Sequence, residues 1–80
     1  MSFEPFDVAR DLVWAQVLSP RELDVALLVA RGHSNKQVAR ALGVTEGTVK
    51  LHMHSILRKL RAESRYTLIL QAQSNVQQSA

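Results

Sequence analysis

The stretch GVTEGTVKLHMHSILRKLR, residues 43–61, combines a turn with an amphipathic helix. Gly43 can adopt the left-handed backbone that ends one helix, and Thr45 is a residue type that caps the next. Apolar residues then recur at helical spacing and predict a buried face: Val49, Met53, Ile56, Leu57 and Leu60. Basic residues recur at the same spacing on a separate face: Lys50, His54, Arg58 and Arg61. The segment therefore predicts a helix that buries one side and presents cations on another.

Two shorter helices are predicted upstream. Ser19 and Glu22 match a capping box with Pro20 at the first helical position, and Ser34 with Gln37 repeats the box. The first helix is expected to end at Gly32. Its buried stripe is predicted to contain Leu23, Ala26, Leu27 and Ala30, widened by Val25, Leu28 and Val29. The second is about eight residues long and is expected to direct three residues inward: Val38, Ala39 and Leu42.

A fourth helix is predicted after Ser64, through RYTLILQAQ. Its pattern places Leu68, Ile69 and Ala72 toward the core and leaves Tyr66 and Leu70 partly outside. Residues 74–80 are predicted to form a polar tail.

Residues 1–17 form an N-terminal extension for which a short additional helix is expected. Asp7 can cap it, and three residues follow at roughly helical spacing: Val8, Leu12 and Ala15. Four apolar side chains of the extension are expected to pack on the domain or on another chain: Phe3, Phe6, Val13 and Trp14. No strand pattern occurs in the sequence, so the fold class is predicted to be all-α, a four-helix domain plus this extra helix.

Composition narrows the function. The chain has 80 residues and no cysteine, which predicts one small domain without disulfides or thiolate metal sites and favours the cytoplasm. No signal peptide or membrane span is evident. Residues 31–65 carry eight Lys or Arg against two Asp or Glu, a net +6, whereas residues 1–30 carry two against five, a net −3. A basic middle segment is typical of a surface that binds a polyanion, although a solvated basic face would have the same composition.

The two helices that meet at residues 42–45 form a predicted helix-turn-helix, because a short helix, a glycine-containing turn and a basic helix follow one another. In such a motif the second helix enters the major groove of DNA, and its N-terminus also suits a phosphate. No nucleophile–base–acid set, phosphate-binding glycine loop or convergent carboxylates occur, so an enzyme is not expected. His52 and His54 are two residues apart and point to different sides of a helix, so neither a metal nor a cofactor is expected.

The ordered set LSPRE, SNKQVA, LGVTEGTVKLH, ILRKL and SR resembles the DNA-binding domain of LuxR/NarL/GerE-type bacterial transcription regulators. The resemblance implies that residues 18–73 form a four-helix domain whose third helix, at about residues 46–61, reads duplex DNA and whose fourth makes a two-fold dimer. It places the base contacts on Lys50, Leu51 and His54. It places phosphate contacts on Asn35, Lys36, Thr48, His52, Lys59 and Arg65. It implies dimer contacts on the fourth helix, at Tyr66, Ile69, Leu70 and Gln73.

Three of these assignments have alternatives. At least one of Arg58, Lys59 and Arg61 is expected to contact phosphate, so Arg58 joins the candidates, although the helix dipole alone favours cations there. Arg65 starts a helix, where a cation is unfavourable, which predicts a partner in phosphate or in Glu63. Many family members have lysine at the position of His54, so the base preference there is open.

Two rival functions are compatible with the sequence. Region four of a sigma factor has a similar helix-turn-helix, but SNKQVA and HMHSILRKL favour the LuxR-type reading. The rival from another class is a protein-interaction module that pairs with and inhibits a larger LuxR-type regulator through the fourth helix. Larger family members carry a receiver or ligand-binding domain before the DNA-binding domain, which makes a receiver domain a further candidate partner.

Overall fold

The computed structural model describes the backbone of residues 8–79 and the side chains of residues 13–73. Five α-helices follow in order: α1 (Val8–Val17), α2 (Pro20–Ala30), α3 (Asn35–Leu42), α4 (Glu46–Lys59) and α5 (Arg65–Ser79). The described range contains no strand, so the all-α prediction is confirmed. None of these helices combines the length and the apolar character that a membrane span requires.

The two predicted capping boxes are present. The Ser19 Oγ accepts from the Glu22 N–H at 3.2 Å, and Glu22 Oε1 accepts from the Ser19 N–H at 2.9 Å. Ser34 and Gln37 make the same reciprocal pair at 3.1 and 2.9 Å. Each box satisfies two N–H groups that have no partner within the helix, and so fixes where α2 and α3 begin.

Three helices end on a residue in the left-handed region. Gly32 (φ 96°) follows α2 and Gly43 (φ 70°) follows α3, as the sequence predicted. Arg61 (φ 56°) follows α4, where its N–H donates to the Arg58 carbonyl and the Ala62 N–H donates to the Leu57 carbonyl. This is a Schellman end with arginine in the position that usually holds glycine.

The core lies around α2, which packs against all four other helices. The fully buried centre of α2 is formed by Val25, Ala26 and Val29, with Glu22 one turn earlier. The predicted stripe was therefore displaced by part of a turn, since Leu23, Leu27, Leu28 and Ala30 are only partly buried. The reason is that α4 and α5 both pack on α2, and their joint position determines which side is enclosed.

The predicted N-terminal helix is confirmed as α1, and it belongs to the same core. Trp14 (3% exposed) and Leu18 are buried, whereas Val13 and Ala15 are exposed. Trp14 therefore packs on the domain as predicted, whereas Val13, also expected to pack, is not buried in this core, and Ala15, expected on the inner face, is exposed. Phe3, Phe6 and Asp7 lie outside the described residues, as do the side chains of Val8 and Leu12.

Helix α5 closes the core on the side of α1, α2 and α4. Leu68 and Ala72 are buried and Ile69 is partly buried against them, as predicted. Tyr66 and Leu70 are exposed, also as predicted. The helix continues to Ser79, so helical backbone extends through residues 74–79, where the sequence predicted a polar tail.

Candidate nucleic-acid interface

Helix α4 follows α3 after the three residues 43–45, and its inner face anchors it to the domain. Val49, Met53 and Ile56 are buried, and Leu57 and Leu60 pack partly buried against them. This confirms the predicted inner face. Because α2 and α3 both pack on α4 from that side, the opposite side of α4 remains open.

The three predicted base-contacting residues lie together on the open side of α4. Lys50, Leu51 and His54 are all exposed, and Leu51 is 74% exposed. Arg58 is exposed one turn after His54. A large apolar side chain between basic neighbours costs hydrophobic free energy in water, and it can recover that energy by contact with an apolar group such as a thymine methyl.

The first turn of α4 holds a threonine pair. The Thr48 N–H donates to Thr45 Oγ1 at 3.1 Å, which confirms Thr45 as the cap. The Thr45 hydroxyl in turn donates to Thr48 Oγ1 at 3.0 Å. Since a hydroxyl has one donor and Thr48 acts as acceptor here, its own O–H remains available to donate to an external group.

Lys59 has an internal partner. Its Nζ lies 2.8 Å from Oε1 of Glu22, and the Ser55 hydroxyl donates to Oε2 of the same carboxylate at 2.7 Å. Hydrogen bonds from Lys59, Ser19 and Ser55 lower the pKa of Glu22 from 4.5 to about 2. The predicted phosphate contact of Lys59 is not tested by this pair, but part of its charge is neutralised within the fold.

Arg65 also bonds within the chain. Its Nη1 donates to Asn35 Oδ1 at 2.6 Å, and its Nη2 donates to the His33 carbonyl. These partners, at the start of α3, are neither of the two predicted for Arg65: Glu63 makes no ion pair within residues 13–73, and a phosphate contact is not tested. Two of the predicted phosphate contacts, Asn35 and Arg65, are thus directly joined.

The remaining predicted phosphate contacts differ in exposure. Lys36 is exposed in the first turn of α3, next to Asn35. His52 is partly buried and lies on a different side of α4 from His54. The exposed cations on α4, Lys50 and Arg58, and the exposed Lys36 in the first turn of α3 are therefore all accessible to a large anion.

The predicted dimer residues divide into two groups. Tyr66, Leu70 and Gln73 are exposed at the spacing i, i+4 and i+7, and so form one outward stripe on α5. Ile69 instead packs partly buried against the core.

Sequence reasoning missed the environment of Glu22. It identified the cap but not the burial of this residue (6% exposed) or the partners of its carboxylate on α4. A signal was present in α4: Ser55 and Lys59 are polar at spacing i, i+4 beside the apolar face, as expected if a buried acceptor faces them.

Comparisons with known proteins agree with this geometry. Residues 16–72 match the family described as bacterial regulatory proteins, luxR family. The nitrate/nitrite response regulator protein NarP of Escherichia coli (strain K12) is 53% identical over 49 residues, which are 61% of this chain and 23% of NarP. The HTH-type transcriptional activator RamA of Corynebacterium glutamicum is 46% identical over 52 residues, or 65% of this chain and 18% of RamA.

The response regulator protein VraR of Staphylococcus aureus (strain NCTC 8325 / PS 47) is 39% identical over 57 residues, which are 71% of this chain and 27% of VraR. The matched part of the chain thus spans about a quarter or less of these relatives. The similarity concerns one domain of larger proteins.

Proposed function

We propose, because the chain belongs to the luxR family of bacterial regulatory proteins, that it binds double-stranded DNA in a sequence-specific manner to regulate transcription. The observation that carries the proposal is α4, which buries one face and leaves Lys50, Leu51 and His54 together in solvent. An α-helix fits the major groove, where each base pair presents a distinct set of donors and acceptors.

The three side chains have complementary roles in this proposal. The Lys50 ammonium donates to guanine O6 or N7, and Leu51 contacts a thymine methyl. His54 bonds a guanine acceptor from the next turn. Together they read neighbouring base pairs, since residues at i and i+4 lie on one side of the helix.

Phosphate contacts around α4 hold the helix in register. They are proposed on Asn35, Lys36, Thr48, His52 and Arg58. Lys59 and Arg65, which the resemblance also implies, already bond to Glu22 and Asn35 within the chain, and they are proposed to support these contacts rather than to bind phosphate directly. The free hydroxyl hydrogen of Thr48 supports its part in this set, and the exposure of Lys36 and Arg58 supports theirs. Such contacts supply affinity for any sequence, whereas the base contacts supply preference.

Two copies are proposed to associate through α5, with Tyr66, Leu70 and Gln73 at the centre of the contact and Ile69 supporting it from the core side. Exposed Tyr66 (68%) and Leu70 are apolar surface that a partner would cover. A dimer would present two copies of α4 to two half-sites about one helical turn apart.

The same stripe also fits a larger regulator or a receiver domain as partner, and the names of NarP and VraR as response regulators support the latter. The absence of cysteine from the sequence supports a reducing compartment, for which we propose the cytoplasm.

The placement of α4 is tested by methylation interference on a duplex selected for tight binding. Methyl groups on guanine N7 occupy the major groove, and methyl groups on adenine N3 occupy the minor groove. We expect methylation of guanine N7 within the site to block binding, and methylation of adenine N3 at neighbouring A·T pairs of the same site to have little effect. Blocking by N3 methylation alone would place the protein in the minor groove and contradict the proposed role of α4.

A further inference from the structure

Arg65 fixes the orientation of the Asn35 side chain. Arg65 opens α5 and Asn35 opens α3, so the bond between Nη1 and Oδ1 at 2.6 Å joins two helix N-termini that are 30 residues apart in sequence. The second arm of the guanidinium donates to the His33 carbonyl, just before the Ser34 cap. The planar fork therefore holds both the turn and the first residue of α3.

The direction of the Asn35 amide follows from the chemistry of its partner. A guanidinium has N–H donors and no acceptor, so the amide atom that faces Arg65 must be the oxygen. The Nδ2 group then points away from Arg65. Within the side chains that the structure describes, Nδ2 donates to no acceptor, so two N–H bonds are available to an external group.

The surroundings of this amide favour an anion. The N-termini of α3 and α5 both carry partial positive charge, and Lys36 is exposed beside Asn35. Lys59 is paired with a carboxylate, whereas Arg65 forms no ion pair among residues 13–73. The fold thus gathers cations and amide donors here without neutralising them.

We propose that Arg65 is a positioning residue for phosphate binding, which acts by aiming the Asn35 Nδ2 group at a backbone phosphate oxygen of the duplex. The inference rests on the proposed DNA-binding function and differs from the direct contact that the family resemblance implies for Arg65. Asn35 makes the contact with phosphate. The two hydrogen bonds from Arg65, to Asn35 and to the His33 carbonyl, hold the Asn35 side chain in the rotamer that makes this contact.

The test is a double-mutant cycle with Arg65→Lys and Asn35→Ala. Lysine keeps the charge at position 65 but cannot form the planar fork. Binding of each variant to one selected duplex is measured by fluorescence anisotropy at several salt concentrations. Thermal melting of each variant checks that it is folded at the assay temperature.

We expect each single variant to bind about tenfold more weakly, the loss that corresponds to one hydrogen bond to a charged group. We expect the double variant to bind no more weakly than Asn35→Ala alone, because Arg65 acts through Asn35. Losses that multiply to about a hundredfold, or Arg65→Lys binding like the unmodified chain, would overturn the inference and favour a direct Arg65 contact.

A second variant keeps the test independent of folding. Asn35→Asp retains an acceptor for Arg65 but removes the Nδ2 donors, so we expect an unchanged or raised melting temperature with weaker binding to every sequence. Binding of Asn35→Asp equal to that of the unmodified chain would exclude the Asn35 donor. Failure of the unmodified chain to bind any duplex at low salt is a distinct result, which would overturn the proposed function itself.

Discussion

The Glu22 carboxylate accepts from the Lys59 ammonium at 2.8 Å, and this contact joins the first turn of α2 to the last turn of α4. Glu22 is buried, and Ser55 on α4 also donates to it. The pair therefore fixes the C-terminal end of the helix that we propose to read DNA. The same carboxylate completes the Ser19 capping box, so one side chain sets a local and a long-range feature.

Replacement of Glu22 by Gln is expected to destabilise the domain by about 2 kcal/mol, because a part-buried hydrogen bond between a cation and a carboxylate becomes a weaker bond to a neutral amide. Thermal or urea unfolding at pH 7 measures this loss. Asp24→Asn is the matched control, since Asp24 makes only an exposed contact of 3.7 Å with Arg21 and such pairs contribute little. Equal effects of the two substitutions would contradict the assigned role of Glu22.

Stability is also expected to depend on pH through Glu22. Its pKa is lowered in the folded state, from 4.5 to about 2, so its ionised form stabilises the fold above about pH 4.5. This contribution is lost as the pH falls toward about 2. Urea unfolding between about pH 5 and about pH 2 measures this effect. As the pH falls, the free energy of unfolding should decrease more steeply for the unmodified chain than for Glu22→Gln. An equal pH dependence of the unfolding free energy in the two proteins would show that Glu22 does not contribute to the loss of stability in acid.

Lys59→Met is expected to lower the melting temperature while leaving the salt dependence of DNA binding nearly unchanged, because Glu22 already pairs with this ammonium. Lys36→Ala is the contrasting variant. Its side chain is exposed, and its loss should weaken binding to all sequences and reduce the slope of log K against log salt by about 0.9. A reduced slope for Lys59→Met would restore Lys59 to the phosphate contacts.

Lys50→Ala is expected to cost about 1–3 kcal/mol on the preferred duplex and to blur sequence preference at one position. Competition titrations with single-base variants of the site measure both effects. The domain should melt as before, because Lys50 is exposed on α4. An equal loss on every sequence would make Lys50 a phosphate contact.

Two glycines on either side of the Thr45 cap are expected to respond oppositely to alanine. Gly43 has φ 70°, a conformation that costs an alanine about 1–2 kcal/mol, so Gly43→Ala should destabilise. Gly47 lies in the first turn of α4, where an added Cβ would meet only Thr45 Oγ1 at 3.7 Å. Gly47→Ala should therefore stabilise by about 0.5 kcal/mol through helix propensity. Unfolding measurements that gave both the same sign would refute this reading of the turn.

Leu70→Glu is expected to convert the proposed dimer to monomers, because it places a charge in the outward stripe of α5. Val13→Glu is the control, since Val13 is also an exposed apolar residue but lies on α1. Sedimentation equilibrium of the two variants and the unmodified chain measures the association. Dissociation by Val13→Glu alone would move the contact to α1.

Local signals account for the features that the sequence predicted well. The Ser19 and Ser34 boxes, and the left-handed Gly32 and Gly43, depend on neighbours within a few residues. The inner face of α4 is likewise predicted by apolar residues that recur at the spacing of helical turns. These signals were sufficient to locate the helix-turn-helix and the side of α4 that carries Lys50.

Features that depend on distant partners were not predictable. Ser55 and Lys59 lie 33 and 37 residues from Glu22, so their spacing on α4 can indicate a buried acceptor but cannot identify it as Glu22. The link between Arg65 and Asn35 spans 30 residues, and the proposal that Asn35 rather than Arg65 contacts phosphate rests on it. The left-handed Arg61 was missed because glycine is the usual signal for that conformation.

The central claim is most directly tested by titrating the chain against a pool of random duplexes at low and raised salt, and by recovering and sequencing the bound molecules. We expect binding that weakens steeply with salt, together with an enriched two-fold motif whose half-sites lie about one helical turn apart. No binding even at low salt would contradict the claim that α4 reads DNA and would direct attention to protein partners of α5.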